Sequence, residues 1–164
     1  MRHFLIAAAT TLLAGPAFSE AHGGLEVQGD AAAGEEAFNR QCVACHIVEN
    51  DEGETLAGRN ARTGPNLYGV VLRQLGAVED FRYGDAIVEL GEMGRVWTEE
   101  DFVGYVQDPT GWLREELDDR RARGKMSFQV RDEADAYDLY AYLHSIGPEL
   151  TEEQLEAAAM DGDS

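Results

Sequence analysis

The stretch "QCVACHIVEN", residues 41–50, holds the only two cysteines of the chain, Cys42 and Cys45, with His46 directly behind them. A thioredoxin-like redox pair needs a preceding strand and an alternating α/β pattern, and neither is present. A zinc site needs two more ligands at Cys/His spacing, whereas His22 and His144 lie far off in sequence. A disulfide across two intervening residues is strained. Cys-x-x-Cys-His is also the attachment motif of c-type haem. Cysteines three apart on a helical turn project to one side and can reach both vinyl groups, and the next residue can turn its imidazole to the iron. Haem attachment is therefore the expectation, with a disulfide or a metal site as the alternatives.

The compartment fits that chemistry. Arg2 and His3 give a short basic start, Phe4 to Leu13 is apolar or small, and Ala17-Phe18-Ser19 and Ser19-Glu20-Ala21 both offer small-x-small cleavage sites. Residues 1–21 read as a secretory signal peptide. The apolar run is about half of what a bilayer span needs, which argues against a membrane anchor. The protein is expected to be exported, with cleavage near residues 19–21, and soluble.

The chain of 164 residues suits one domain, and its formal charge of −19 includes a single lysine, Lys125. That acidic excess argues against nucleic acid and anionic membranes as partners. It fits a basic partner or a salty habitat. Residues 22–29 form a glycine-bearing leader expected to be flexible, 30–147 the domain, and 148–164 an acidic tail expected to be mobile. Asp30 caps a helix over Ala31 to Gln41, Thr98 and Asp101 open one to Gln107, and Asp132 or Glu133 starts a last helix reaching Ile146. Residues 49–62 read as a loop, Leu67 to Val71 as a short helical turn, and Asp108-Pro109 as a helix end. No stretch has the alternation of a sheet, so the fold is expected to be all-α with long loops.

A haem iron tied to His46 needs a second axial ligand or keeps an open site. Met160 lies in the acidic tail and Met93 in Gly91-Glu92-Met93-Gly94. Met126 follows a long loop and precedes the last helix, where a thioether can cross the open haem face. Core filling is the alternative role for any methionine.

At this point the sequence resembles the class I c-type cytochromes, the group of mitochondrial cytochrome c and its soluble bacterial periplasmic relatives. The resemblance spans about Gly29 to Ile146. It rests on "GDAAAGEEAFNRQCVACHIVE", "TGPNLYGVVLRQLGAVEDFRYGDA", "WTEEDFVGYVQDPTGW", "GKMSF" and "AYDLYAYLHSI", in that order. It implies N- and C-terminal helices crossing over one covalently bound haem. Cys42 and Cys45 would be the thioether anchors, His46 and Met126 the axial ligands, and Pro65 the acceptor of the His46 N–H. Arg73, Tyr83 and Trp97 match positions that meet a haem propionate. Gly34 and Phe38 match helix-crossing residues that pack near Leu139 and Tyr142.

The implied function is a one-electron carrier, not an enzyme. Its donor would be a cytochrome bc complex or a periplasmic dehydrogenase, and its acceptor a terminal oxidase or a reaction centre. The rivals are a dedicated haem subunit of one dehydrogenase or oxidase complex, and a haem enzyme or gas sensor with a labile Met126. A monomer without stable membrane insertion is expected. The chain departs from the family in extra residues at 50–62 and 113–124 and in lacking a lysine ring. Arg114, Arg120, Arg121, Arg123 and Lys125 either form a docking patch or pair internally with Glu115, Glu116, Asp118 and Asp119.

Overall fold

A computed structural model describes residues 24–161, so the signal-peptide reading lies outside the described residues. The elements in order are α1 (Ala31–Gln41), β1 (Ile47–Glu49), β2 (Thr55–Gly58), α2 (Asp85–Glu92), α3 (Glu99–Gln107), α4 (Pro109–Glu116), α5 (Glu133–Ser145) and α6 (Glu152–Asp161).

Helices α1 and α5 cross in close contact, and Gly34 is the reason they can. A Cβ there would collide with the backbone carbonyl of Asp138 and lie 2.7 Å from the Tyr142 Cβ. Phe38 packs beside it, 5.7 Å from the Tyr142 ring. The Asp30 carboxylate accepts from Ala32 and Ala33 and caps α1 as expected. Its own backbone N–H donates to Asp138 Oδ1 at 2.7 Å, which locks the start of α1 to the middle of α5. On the other face of α5, the buried Tyr140 hydroxyl donates to the Trp97 carbonyl at 3.0 Å. The Tyr140 ring packs at a tilt against Phe102 of α3, with centroids 5.4 Å apart. The crossing of N- and C-terminal helices that the resemblance implies is thus assembled around α1, α3 and α5.

Four segments differ from the sequence expectation. Residues 47–49 and 55–58 form a short antiparallel hairpin with a bulge between Val48 and Glu49, overlapping the stretch 49–62 that reads as a loop. Three residues are too few to show alternation, and a bulge breaks what period remains. Residues 67–71 form turns, with Val70 N–H bonded to the Leu67 carbonyl at 3.1 Å, and no helix. Helix α2 was not legible because Gly84, its N-cap, offers no side-chain acceptor. Helix α4 was not legible because Pro109 reads as a terminator. It is the first residue of the next helix, where its missing N–H costs nothing, and Asp108 ends α3 while capping α4 through Gly111 N–H.

The two ends of the described chain both lie against the core. Leu25 and Val27 of the leader and Leu150 and Ala158 of the tail pack on it. Gln28 N–H donates to Glu99 Oε1 at 2.8 Å. Residues 152–161, acidic in sequence, are helical.

Candidate haem site

The last turn of α1 runs directly into the cysteine motif. Cys42 N–H bonds back to the Phe38 carbonyl at 2.9 Å, and the N–H groups of Cys45 and His46 both bond to the Cys42 carbonyl, at 3.0 and 2.9 Å. This tight turn leaves the two cysteines as separate, half-buried thiols. Burial, with the neighbouring Cys45 adding to it, pushes the Cys42 thiol up to about 12. Among the described residues no group of three or more Cys, His, Asp or Glu side chains is placed to hold a metal ion by itself.

His46 is fixed by Pro65. Its Nδ1–H donates to the Pro65 carbonyl at 3.0 Å, which leaves Nε2 as the ring's acceptor. Gly64 keeps the ring in place: a Cβ there would sit 2.6 Å from Nδ1 and 2.7 Å from Nε2. Burial lowers the imidazole pKa, opposed by the Pro65 bond, so the ring is held neutral and able to donate a lone pair.

Cys42, Cys45, His46 and Pro65 line a cavity of about 410 Å³. Met126 lines the same cavity, carried by the segment between α4 and α5, whereas Met93 ends α2 and is 65% exposed. Arg73, Tyr83 and Trp97 also face this cavity, so all eight sequence-derived site residues meet in one place. The walls between them are apolar: Ile87, Phe102, Val106, Leu139 and Leu143 contribute from α2, α3 and α5. Tyr105 and Phe128 were not singled out in the sequence. Tyr105 sits on the inner face of α3, 5.0 Å from Trp97, and burial pushes its phenol up to about 12. Its only sequence signal is helical spacing from Phe102, which reads as ordinary core.

Arg73 tests whether the cavity fits a haem. Its two terminal nitrogens donate to the carbonyls of Tyr68 at 2.7 Å and Asn66 at 3.1 Å. Its Nε is buried without a protein partner. A largely buried guanidinium that no carboxylate among the described residues meets is costly. An anionic group in the cavity would satisfy it. Tyr83 lies close enough that the Arg73 charge pulls its phenol down against the upward push of burial. Two sulfurs, an imidazole, a thioether, apolar walls and one buried cation match the parts of a haem: vinyls, iron, porphyrin faces and propionate.

These features define a c-type cytochrome site in an α-helical shell. No protein-family model matches the chain. The chain is 60% identical over 123 residues to the cytochrome c2 of Rhodovulum adriaticum, covering 75% of this chain and 97% of that protein. It is 52% identical over 123 residues to the cytochrome c2 of Cereibacter sphaeroides, covering 74% of this chain and 84% of that one. The crystal structure of cytochrome c2 from Rhodobacter sphaeroides superposes with a TM-score of 0.71 at 51% identity, covering 73% of this chain and 98% of that one. The chain belongs to the class I c-type cytochromes. As a member it carries one covalently attached haem c, and Cys42 and Cys45 are the thiols available to anchor it.

Proposed function

We propose that the protein is a periplasmic one-electron carrier whose haem iron is held by His46 and Met126. The carrying observation is that one cavity brings together the cysteine pair, a histidine fixed in its tautomer by Pro65, and Met126, beside an unpartnered buried Arg73 Nε. The bound haem supplies an iron that gains and loses one electron. The Pro65 carbonyl orients the His46 ring and raises its donor strength. Met126 would offer the iron a neutral thioether, which would favour its ferrous state. Ile87, Phe102, Val106, Leu139 and Leu143 exclude water, which penalises the more highly charged ferric centre. Arg73, Tyr83 and Trp97 line the cavity where they would meet a propionate. With His46 and Met126 both on the iron, no position would be left there for a substrate, and the role is electron transfer.

The donor is a cytochrome bc complex or a periplasmic dehydrogenase, and the acceptor an oxidase or a reaction centre. The cationic cluster beside Met126 is the docking face for them. Of the carboxylates that could neutralise it internally, Glu116 pairs with Arg95 at 2.6 Å and only Asp119 pairs within the cluster, with Arg121 at 3.5 Å. Arg114 and Arg123 donate to backbone carbonyls, which satisfies their hydrogens without cancelling their charge. Arg123 and Lys125 stand at the cavity itself. Electron transfer from a purified bc complex, followed against ionic strength, tests this. A rate that falls steeply with salt is expected, and a flat rate would remove the docking face. Carbon monoxide added to the reduced protein tests the closed iron: prompt binding at neutral pH would overturn Met126 ligation.

A further inference from the structure

Among the described residues, two non-glycine residues have a left-handed backbone, Asp118 with φ 46° and Leu72 with φ 54°. Asp118 is exposed, and aspartate adopts that conformation more readily than most residues. Leu72 is only 5% exposed, and a leucine is strained there where a glycine would not be. The strain sits inside a short ladder. Leu72 N–H donates to the Trp97 carbonyl at 3.0 Å, Trp97 N–H to the Arg73 carbonyl at 2.9 Å, and Leu75 N–H to the Arg95 carbonyl at 3.0 Å. Arg73 and Trp97 line the haem cavity. Leu72 instead lines a separate cleft, with Leu25 and Val27 of the leader, Tyr137 and Tyr140 of α5 and Ala158 of α6. Both ends of the described chain therefore meet behind the ladder. The tail arrives there by crossing the 67–71 turn, where a Cβ on Gly69 would come within 3.3 Å of the Pro148 ring. Thr151 and Gln154 then start α6 with a reciprocal cap, Thr151 N–H on Gln154 Oε1 at 3.0 Å and Gln154 N–H on Thr151 Oγ1 at 3.2 Å.

We propose that Leu72 is the anchor that fastens the leader and α6 to the back of the Arg73–Trp97 ladder, and that the chain ends, so fastened, hold the Arg73 guanidinium in place at the haem. The inference rests on Arg73 facing the haem. Leu72 is a positioning residue: it touches no part of the haem and acts through the backbone it shares with Arg73. Strain of this kind persists only where the surrounding structure over-determines it. Burial of the Leu72 side chain beside the leader and α6 supplies that determination. With the ends in place, water is kept from the ladder, and the Arg73 Nε stays buried. With the ends released, water enters behind Arg73 and screens its charge, which favours the ferric state.

The test uses the holoprotein. Leu72→Gly removes the anchor, and glycine accepts the left-handed backbone, so the ladder keeps its shape. Ala158→Gln crowds the same cleft from α6 without adding charge. Endoproteinase Glu-C should cut after the exposed Glu152, Glu153 and Glu156 about tenfold faster in each variant than in wild type, because cleavage follows the opened population. Amide exchange at Leu72, Arg73 and Trp97 should quicken alongside it. The one-electron equilibrium against a reference dye should shift about twofold to fivefold toward ferric, and the double variant should go no further than either single one. Unchanged cleavage in Leu72→Gly would overturn the anchor. Faster cleavage with an unchanged equilibrium would overturn the link to Arg73. If Arg73→Gln also leaves the equilibrium unchanged, the placing of Arg73 at the haem falls with that link, while faster cleavage still supports the anchor.

Discussion

Burial sets the chemistry of individual side chains around the cavity, and each can be tested singly. Cys42, His46 and Tyr105 are all pushed toward their neutral forms by desolvation. Among the described residues lining the cavity, Arg73 carries the most deeply set charge, with its Nε buried. Removing it takes a cation away from the iron and so favours the ferric state. Arg73→Gln should lower the reduction potential by about 60 mV, a factor of ten in a one-electron equilibrium, and voltammetry of the purified protein checks it. Met126→Ala should keep the haem attached, because both cysteines are untouched. It should open the sixth position to carbon monoxide and lower the potential by more than about 60 mV. An unchanged ferric spectrum would reverse the ligand assignment. Met93→Ala should change neither spectrum nor potential, since Met93 is exposed at the end of α2, outside the cavity lining.

Elements were legible where a side chain announces them. Asp30, Thr98 and Asp132 each accept from a backbone N–H of the helix that follows, and α1, α3 and α5 start where those residues stand in the sequence. These three helices build most of the haem site's scaffold. Helix α2 lacks such a signal, and α4 hides behind a proline that can begin a helix as well as end one. The hairpin is fixed by tertiary pairing, Ile47 opposite Gly58, rather than by a local pattern. Eight lining positions of the cavity were legible as candidates, from the cysteine motif, the methionine loop and the family resemblance. Tyr105 and Phe128 were not, since nothing local separates an aromatic on a cavity wall from one in a core. The α1–α5 crossing is the element-level feature most sensitive to one atom. Gly34→Ala should destabilise the fold by about 2 kcal/mol or more, because the carbonyl it would strike belongs to a helix backbone and cannot move aside. Urea denaturation should show a lower midpoint at unchanged slope.

Across the whole molecule, charge and aromatic packing are both unevenly placed. The chain carries −19, yet the segment before Met126 brings Arg120, Arg121, Arg123 and Lys125 together in sequence. Arg120→Glu with Arg123→Glu should flatten the dependence of electron-transfer rate on ionic strength and slow the reaction at low salt, while the potential shifts little. Stopped-flow mixing with a bc complex would read both effects. The two tryptophans are just as concentrated. Trp97 and Trp112 stack at 5.9 Å, Tyr105 lies 5.0 Å from Trp97, and Trp97 forms part of the cavity wall. Any indole excited there stands beside the porphyrin, a strong absorber at the wavelengths at which tryptophan emits. The native protein should therefore be nearly dark in ultraviolet fluorescence and brighten as the chain expands, a built-in optical ruler for the distance between helix and haem.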